Sequence, residues 1–137
     1  KACHMKRKDI TQRKDIERLV NEFYERVKLD QTIGPIFSDV AHVNWDKHLP
    51  VMYDFWENII FQTGNYTGNP MSAHFKIHEK HPFTKAHFTR WLAIFQETLN
   101  DCFQGPNTEL ARQRALSIAT VIEIKLIQHK QKDQSGF

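Results

Sequence analysis

Apolar residues recur at helical spacing over most of this chain. The first stripe comprises six apolar residues: Ile16, Leu19, Val20, Phe23, Tyr24 and Val27. Residues three, four, seven and eight positions apart share one face of a helix, so this stripe predicts a helix from near Thr11 to near Asp30. The pair Gly34-Pro35 marks the stop after it.

A second stripe predicts a second helix, from about Asp46 to Gln62. Its apolar face comprises Leu49, Met52, Phe55, Trp56, Ile59 and Ile60. Proline lacks a backbone N–H and disfavours helix at the residue before it. We therefore expect regular helix to begin only around Pro50, which leaves His48 in the turn that precedes it.

The second half of the chain predicts three further helices. Turn signals at Gly64-Asn65 and Gly68-Asn69 make the segment from Gln62 to Pro70 a loop. A short helix follows from Met71 to about Ile77, with Pro70 at its first position. Thr84 is suited to cap a helix that runs to Phe103, and Gly105-Pro106 separates it from a last helix between Asn107 and about Lys130. No strand-like alternation occurs, so the sequence predicts an all-α fold.

Composition narrows the class of protein. The chain has 137 residues, enough for one domain with one modest core. Ten Phe, three Trp and three Tyr suit a dense core or an apolar pocket. The net charge is only +3, with no long basic run and no apolar span, so we expect no nucleic-acid or membrane partner.

The two ends of the chain and its cysteines lead to further predictions. Residues 1–4 read as a cloning remnant, residues 5–132 as a single domain, and residues 133–137 as a disordered tail. Cys102 is then the only native cysteine. We therefore expect an inert thiol, no internal disulfide and a cytoplasmic location.

His74 is the residue that says most about the chemistry of this chain. It follows the turn at Gly68 to Pro70 and precedes an apolar helix that contains Phe88 to Leu92. A neutral imidazole beside an apolar slot is what a buried haem iron requires. His78 lies four residues on, so the two imidazoles could instead share a metal from one helix face, but no His-Glu-x-x-His motif accompanies them.

Several spaced blocks together resemble the truncated haemoglobins, and group III of that family in particular. The blocks, in chain order, are Phe23-Tyr24-Glu25-Arg26-Val27, Ile33-Gly34-Pro35-Ile36-Phe37, Trp45-Asp46-Lys47-His48, Asp54-Phe55-Trp56, Tyr66-Thr67-Gly68-Asn69-Pro70-Met71 with His74, and Phe88-Thr89-Arg90-Trp91-Leu92. The chain also lacks the Gly-Gly pairs usual in groups I and II. The resemblance implies a truncated globin fold, with two crossed antiparallel helix pairs in a 2-over-2 arrangement and a short proximal helix.

The resemblance also implies a haem b cofactor and roles for individual residues. His74 matches the proximal histidine that binds the iron. Tyr24, Trp91 and His48 match the distal pocket, where they would contact a bound ligand and carry any catalysis. The residues implied to contact the cofactor are Phe37, Met52, Phe88, Trp91 and His74.

The histidine assignment leaves one alternative open. Counting forward from Gly68 and Pro70 selects His74, whereas counting backward from Phe88 selects His78. The forward count crosses no apparent insertion, so we prefer His74. His78 remains the rival axial ligand.

The implied function is a haem-binding globin that takes O2, NO or CO at a five-coordinate iron. Two uses are open. The protein could bind ligands reversibly, or it could be a redox enzyme that oxidises nitric oxide with O2 or activates peroxide, with an electron donor that the sequence does not identify. The alternative of another class is a haem-free helical regulatory or interaction module that keeps the fold.

Overall fold

The computed structural model describes the backbone of residues 7–135 and the side chains of residues 7–127. This part of the chain forms five α-helices and one π-helical turn. They are α1 (Arg13–Leu29), the π-helical turn (Ile36–Val40), α2 (Trp45–Phe61), α3 (Pro70–Lys80), α4 (Lys85–Cys102) and α5 (Pro106–Ser135). Within residues 7–135 no strand forms, so the all-α prediction is confirmed.

Helices α1 and α4 lie close to where their apolar stripes predict them. Thr84 is the N-cap of α4, as expected, and its amide donates to Nδ1 of His87 at 3.0 Å. The segment between α2 and α3 contains no regular structure, which the turn signals predicted. Local sequence signals therefore decide these boundaries.

Helix α2 begins close to Asp46, where the apolar stripe predicts it, and the later start expected at Pro50 is wrong. The helix begins at Trp45, and Pro50 lies inside it. The carbonyl of Asn44 accepts the amides of Lys47 at 3.1 Å and His48 at 2.8 Å, so a helical turn already exists before the proline. Pro50 and Asp46 are both exposed, and water can hydrate the Asp46 carbonyl that loses its donor. His48 is consequently held rigidly within the helix.

Other boundaries also differ from the prediction. Helix α3 extends to Lys80, beyond Ile77, and the Asn69 side chain caps it by accepting the amide of Ser72 at 3.1 Å. Helix α5 continues to Ser135, beyond the predicted end near Lys130. The disordered tail expected at residues 133–137 stays a prediction. The predicted cloning remnant, residues 1–4, lies outside the described residues. The π-helical turn was not predicted, and in it the Ala41 amide donates to the Ile36 carbonyl at 2.8 Å.

The helices associate as two pairs. Helix α1 packs against α2, α4 packs against α5, and the pairs meet through contacts of α1 with α4 and of α2 with α5. Phe95 lies where three of these helices converge. Its ring stacks on Trp56 with centroids 4.7 Å apart and on Trp91 at 5.5 Å, and Phe23 meets its edge at 5.3 Å. Each such pair adds roughly 0.5–1.5 kcal/mol beyond burial alone, so this aromatic group fixes α1, α2 and α4 relative to one another.

Cys102 is buried and disulfide-bonded. The expectation of an inert thiol and no internal disulfide is therefore wrong. The expected cytoplasmic location loses this support and stays a prediction. None of the helices in the described part of the chain is long and apolar enough to cross a membrane.

Asp9 caps α5 from the opposite end of the sequence. Its carboxylate accepts the amides of Asn107 at 2.9 Å and Thr108 at 2.8 Å, and the Thr108 hydroxyl at 2.9 Å. Burial alone would raise the pKa of this carboxyl, but these hydrogen bonds outweigh burial and lower the pKa. Gly105 has a φ of +147°, and a Cβ there would lie 2.4 Å from the Asp9 carboxyl carbon. The cap therefore requires glycine at this turn.

We expect Asp9→Ala to reduce the free energy of unfolding by about 1–2 kcal/mol at pH 7, because the first amides of α5 lose their acceptor. Since the folded-state pKa of Asp9 lies below its unfolded value, its contribution is complete above that unfolded pKa and disappears as the pH falls through the folded one. Urea denaturation at several pH values measures both effects. Gln113→Ala, an exposed change on the same helix, is the control, and a difference that persists unchanged at the lowest pH would contradict the charge argument.

Candidate functional site

Tyr24 lies at the centre of an aromatic cluster between α1 and α2. Its side chain is 5% exposed, and its hydroxyl lies 3.1 Å from Nε2 of His48. The rings of Trp45 and Phe37 lie 5.1 Å and 5.7 Å from the Tyr24 ring. We call these four residues, Tyr24, Phe37, Trp45 and His48, the Tyr24 cluster. The structure thus brings together three of the residues that the sequence assigned to the pocket.

The fold explains why these side chains meet. Trp45 and His48 are one turn apart on α2, so both face α1. Phe37 reaches them from the π-helical turn and stacks on Trp45 with centroids 5.9 Å apart. The Lys28 ammonium lies 4.7 Å from the Trp45 ring centre, where a cation–π contact covers the outer side of the cluster.

The protonation states of the Tyr24 cluster follow from its surroundings. Burial raises the pKa of Tyr24 well above its ordinary value, so the phenol stays protonated. Burial also lowers the pKa of His48, and the charge of His74 lowers it further. A neutral imidazole at His48 can therefore accept the Tyr24 proton or donate to the phenol oxygen.

Trp91 forms a second wall on α4. Its ring lies 5.6 Å from Phe23, which itself lies 4.9 Å from Tyr24. The side chain is half-buried, and no residue among those described accepts a hydrogen bond from its indole N–H. Met52, one turn beyond His48, is also half-buried against the core. Trp91 therefore has a hydrogen-bond donor available for a ligand.

His74 lies on α3 with a fixed ring orientation. Its Nδ1 is 2.7 Å from the carbonyl oxygen of Pro70. A carbonyl can only accept, so in the neutral ring Nδ1 carries the proton and Nε2 keeps its lone pair. Within the described residues Nε2 has no hydrogen-bond partner. This is the state of a histidine that can ligate a metal through Nε2.

His78 has the opposite arrangement. Its Nδ1 accepts the backbone amide of Phe83 at 2.9 Å, and the residue is only 8% exposed. A backbone amide can only donate, so Nδ1 is unprotonated and Nε2 carries the proton in the neutral ring. His78 is thus occupied in holding the turn between α3 and α4, and its protonation does not suit metal ligation.

Phe83 connects the two histidines with α4. Its ring lies 6.1 Å from His74, 5.9 Å from His78 and 5.6 Å from Phe88. Phe88 consequently belongs to the His74 side of the site and makes no ring contact with the Tyr24 cluster. Sequence reasoning missed Phe83 and Trp45. The signal for Trp45 was its position one turn before His48, whereas Phe83 lies in a loop and gave none.

Two cavities adjoin α3. The larger, of about 540 Å³, is mostly apolar and lies between α2, α3 and α5; its walls include Phe55, Ile59, Pro70, Met71, Ile118 and Ile122. The smaller, of about 300 Å³, is lined by Val40, Ala41, Ala73, Lys76, Ile77 and Lys80. His74 follows Met71, which lines the larger cavity, and is flanked in the sequence by Ala73 and Lys76, which line the smaller one. Volumes of this size are typical of cofactor pockets.

The donor set does not fit a metal held by protein side chains alone. In residues 7–127 no group of three His, Cys, Asp or Glu side chains could hold an ion. A single available imidazole beside apolar cavities fits a cofactor that brings its own equatorial ligands. The His74 and His78 metal pair that the sequence left open receives no support.

Comparisons with known proteins agree with this geometry. The family model for bacterial-like globins matches residues 8–123. The chain belongs to the bacterial-like globin family. Similar proteins include a group 3 truncated hemoglobin from Campylobacter jejuni, 32% identical over 108 residues that cover 77% of this globin and 83% of the relative. The crystal structure of a group III truncated hemoglobin from Campylobacter jejuni superposes with a TM-score of 0.77 at 28% identity, over 88% of this globin and 95% of that chain.

The resemblance to group III truncated haemoglobins and the truncated globin fold are therefore confirmed. Membership of the globin family implies haem binding and the binding of diatomic gases such as O2. The roles of individual residues in this globin are matters of proposal.

We expect nitrogen-15 NMR of the haem-free globin, labelled at histidine, to find His74 protonated at Nδ1 and His78 protonated at Nε2. The physical reason is that Pro70 offers His74 an acceptor, whereas Phe83 offers His78 a donor. His87, whose Nδ1 accepts the Thr84 amide, is an internal reference with the same expected state as His78. Finding both His74 and His78 protonated at Nδ1 would remove the distinction between them.

Proposed function

We propose that this globin binds haem b through His74 and takes O2, NO or CO at a five-coordinate iron. The observation that carries the proposal is the hydrogen bond between His74 Nδ1 and the Pro70 carbonyl, which leaves Nε2 available. A histidine whose second nitrogen is held in this way is an effective axial ligand, because its ring cannot rotate and its basicity is raised.

The residues around His74 fit a flat apolar cofactor. Phe83 lies against His74 and Phe88, Phe37 belongs to the Tyr24 cluster, and Met52 packs against the core one turn beyond His48. Haem bound there would supply an iron that accepts one nitrogen ligand from the protein and one diatomic ligand.

Tyr24, Trp91 and His48 would determine how strongly the ligand is held. The Tyr24 phenol is a permanent donor because burial keeps it protonated. A His48 ring that carries its proton on Nε2 would donate to the phenol oxygen across the 3.1 Å contact and leave the Tyr24 O–H for the ligand. Trp91 adds an indole N–H, which can only donate. A ligand with partial negative charge would gain from both donors.

This polar distal side favours slow release of O2, and with it a redox role. An efficient O2 carrier must release O2 faster than O2 is needed at its destination. Two hydrogen-bond donors to the bound O2 slow that release. The same donors would support O2-dependent oxidation of nitric oxide or the activation of peroxide. Reversible ligand binding is the basal function in our proposal. Redox turnover with an unidentified electron donor is the second function. We propose the cytoplasm as the compartment.

We expect His74→Gly to lose the Soret spectrum of the haem-loaded globin, and added imidazole to restore it, because free imidazole can occupy the space of the lost ring. His78→Gln should keep the wild-type spectrum. Absorption spectroscopy of ferric, dithionite-reduced and carbon monoxide forms measures both variants.

Loss of the spectrum in His78→Gln with retention in His74→Gly would move the axial ligand to His78. If the wild-type chain takes up no haem at all, the protein is a haem-free helical module with the globin fold. Circular dichroism separates both outcomes from simple unfolding.

We expect Tyr24→Phe and Trp91→Phe each to accelerate O2 dissociation by roughly tenfold to a hundredfold, since each removes one donor worth about 1.5–3 kcal/mol. Tyr53→Phe is the matched control, because its hydroxyl bonds Asn21 away from the Tyr24 cluster. Stopped-flow mixing measures O2 release, and nitric-oxide consumption with a reductant measures turnover. Fast wild-type release without sustained turnover would defeat the redox role and leave a binding protein.

A further inference from the structure

The smaller cavity combines apolar walls with two positive charges. Val40 and Ala41, at the end of the π-helical turn, face Ala73 and Ile77 on α3. Lys76 and Lys80 also line it, one helical turn apart and both exposed. A cavity with an apolar floor and two ammonium groups at its edge suits an apolar ligand with carboxylate ends.

The charges of Lys76 and Lys80 are not neutralised by any described side chain. Among the ion pairs of the described side chains, neither Lys76 nor Lys80 takes part, whereas Lys8 and Lys28 do. Like charges four residues apart weaken a helix. Lys80 compensates by its place in the last turn of α3, where a cation interacts favourably with the helix dipole, but Lys76 has no such compensation.

The nearby carboxylates do not neutralise the pair. Asp39, next to Val40, accepts the hydroxyl of Ser38 at 3.1 Å. Glu79 is exposed on α3 and forms no ion pair with either lysine. The charge at the edge of the smaller cavity is therefore positive.

The larger cavity differs in polarity at the other end of α3. Its walls on α2 and α5 are mainly Phe and Ile, and Arg114 is its only charged lining residue within the described part of the chain. Along α3 the lining changes from Pro70 and Met71 at the helix start, in the larger cavity, to Lys76 and Lys80 towards its end, in the smaller one. In the sequence His74 lies between Met71 and Lys76. An amphipathic ligand placed across His74 would put its charged groups beside the lysines.

We infer that Lys76 and Lys80 bind the carboxylate groups of the haem and so determine which edge of the cofactor faces the π-helical turn. The inference rests on the proposed haem function. Two partly exposed ion pairs together would slow haem loss by roughly fivefold, with the effect decreasing as salt increases.

The test compares haem with its dimethyl ester, in which both carboxylates are neutral. The variants are Lys76→Gln/Lys80→Gln, the charge-retaining Lys76→Arg/Lys80→Arg, and Lys47→Gln/Lys125→Gln as a control at exposed lysines outside the cavities. The readout is the rate of haem transfer to excess apomyoglobin at low and high salt.

We expect the glutamine pair to lose haem faster than wild type at low salt, the arginine pair to behave like wild type, and all of the variants to lose the dimethyl ester at one rate. If the glutamine pair and wild type lose haem at equal rates, or differ equally for haem and ester, the inference is overturned while haem binding stands. If wild type takes up neither compound, the proposed function fails and this inference fails with it.

Discussion

The hydrogen bond from His74 to the carbonyl of Pro70 is the interaction on which the proposed site depends. It exists because Pro70 starts α3, and a carbonyl with two lone pairs can accept a ring N–H four residues later in addition to a helical amide. Asn69 stabilises that helix start by capping the Ser72 amide. The loop before α3 therefore determines the chemistry of the imidazole, since it decides where the first turn begins.

The sequence predicts which helices form better than it predicts where each helix begins and which side chains meet. The stripe on α1 places Tyr24 on the buried face, and Thr84 marks the start of α4, because both features act over one or two helical turns. The expectation that α2 begins only at Pro50 fails. The preference against helix before proline describes an isolated chain, whereas here the Asn44 carbonyl and the packing against α1 stabilise a helical turn before Pro50. The π-helical turn and the position of Phe83 depend on contacts between distant segments, and no local pattern reveals them.

The choice between His74 and His78 shows the same limit in chemical terms. Both residues are on one helix, four positions apart, and spacing alone supports either. Their difference lies in one neighbour each, a carbonyl for His74 and an amide for His78. A sequence names the imidazoles, but the proton on each ring is determined by the backbone group that the fold places beside it.

The cap that Asp9 provides links residues 98 positions apart. The first amides of α5 lack this acceptor until Asp9 has come close to them, and closing so long a loop has an entropic cost. During synthesis, Asp9 leaves the ribosome long before Asn107 and has no partner in the interval. The capped start of α5 therefore forms only after Asn107 has been synthesised, so this helix start depends on a long-range contact that no local sequence signal supplies.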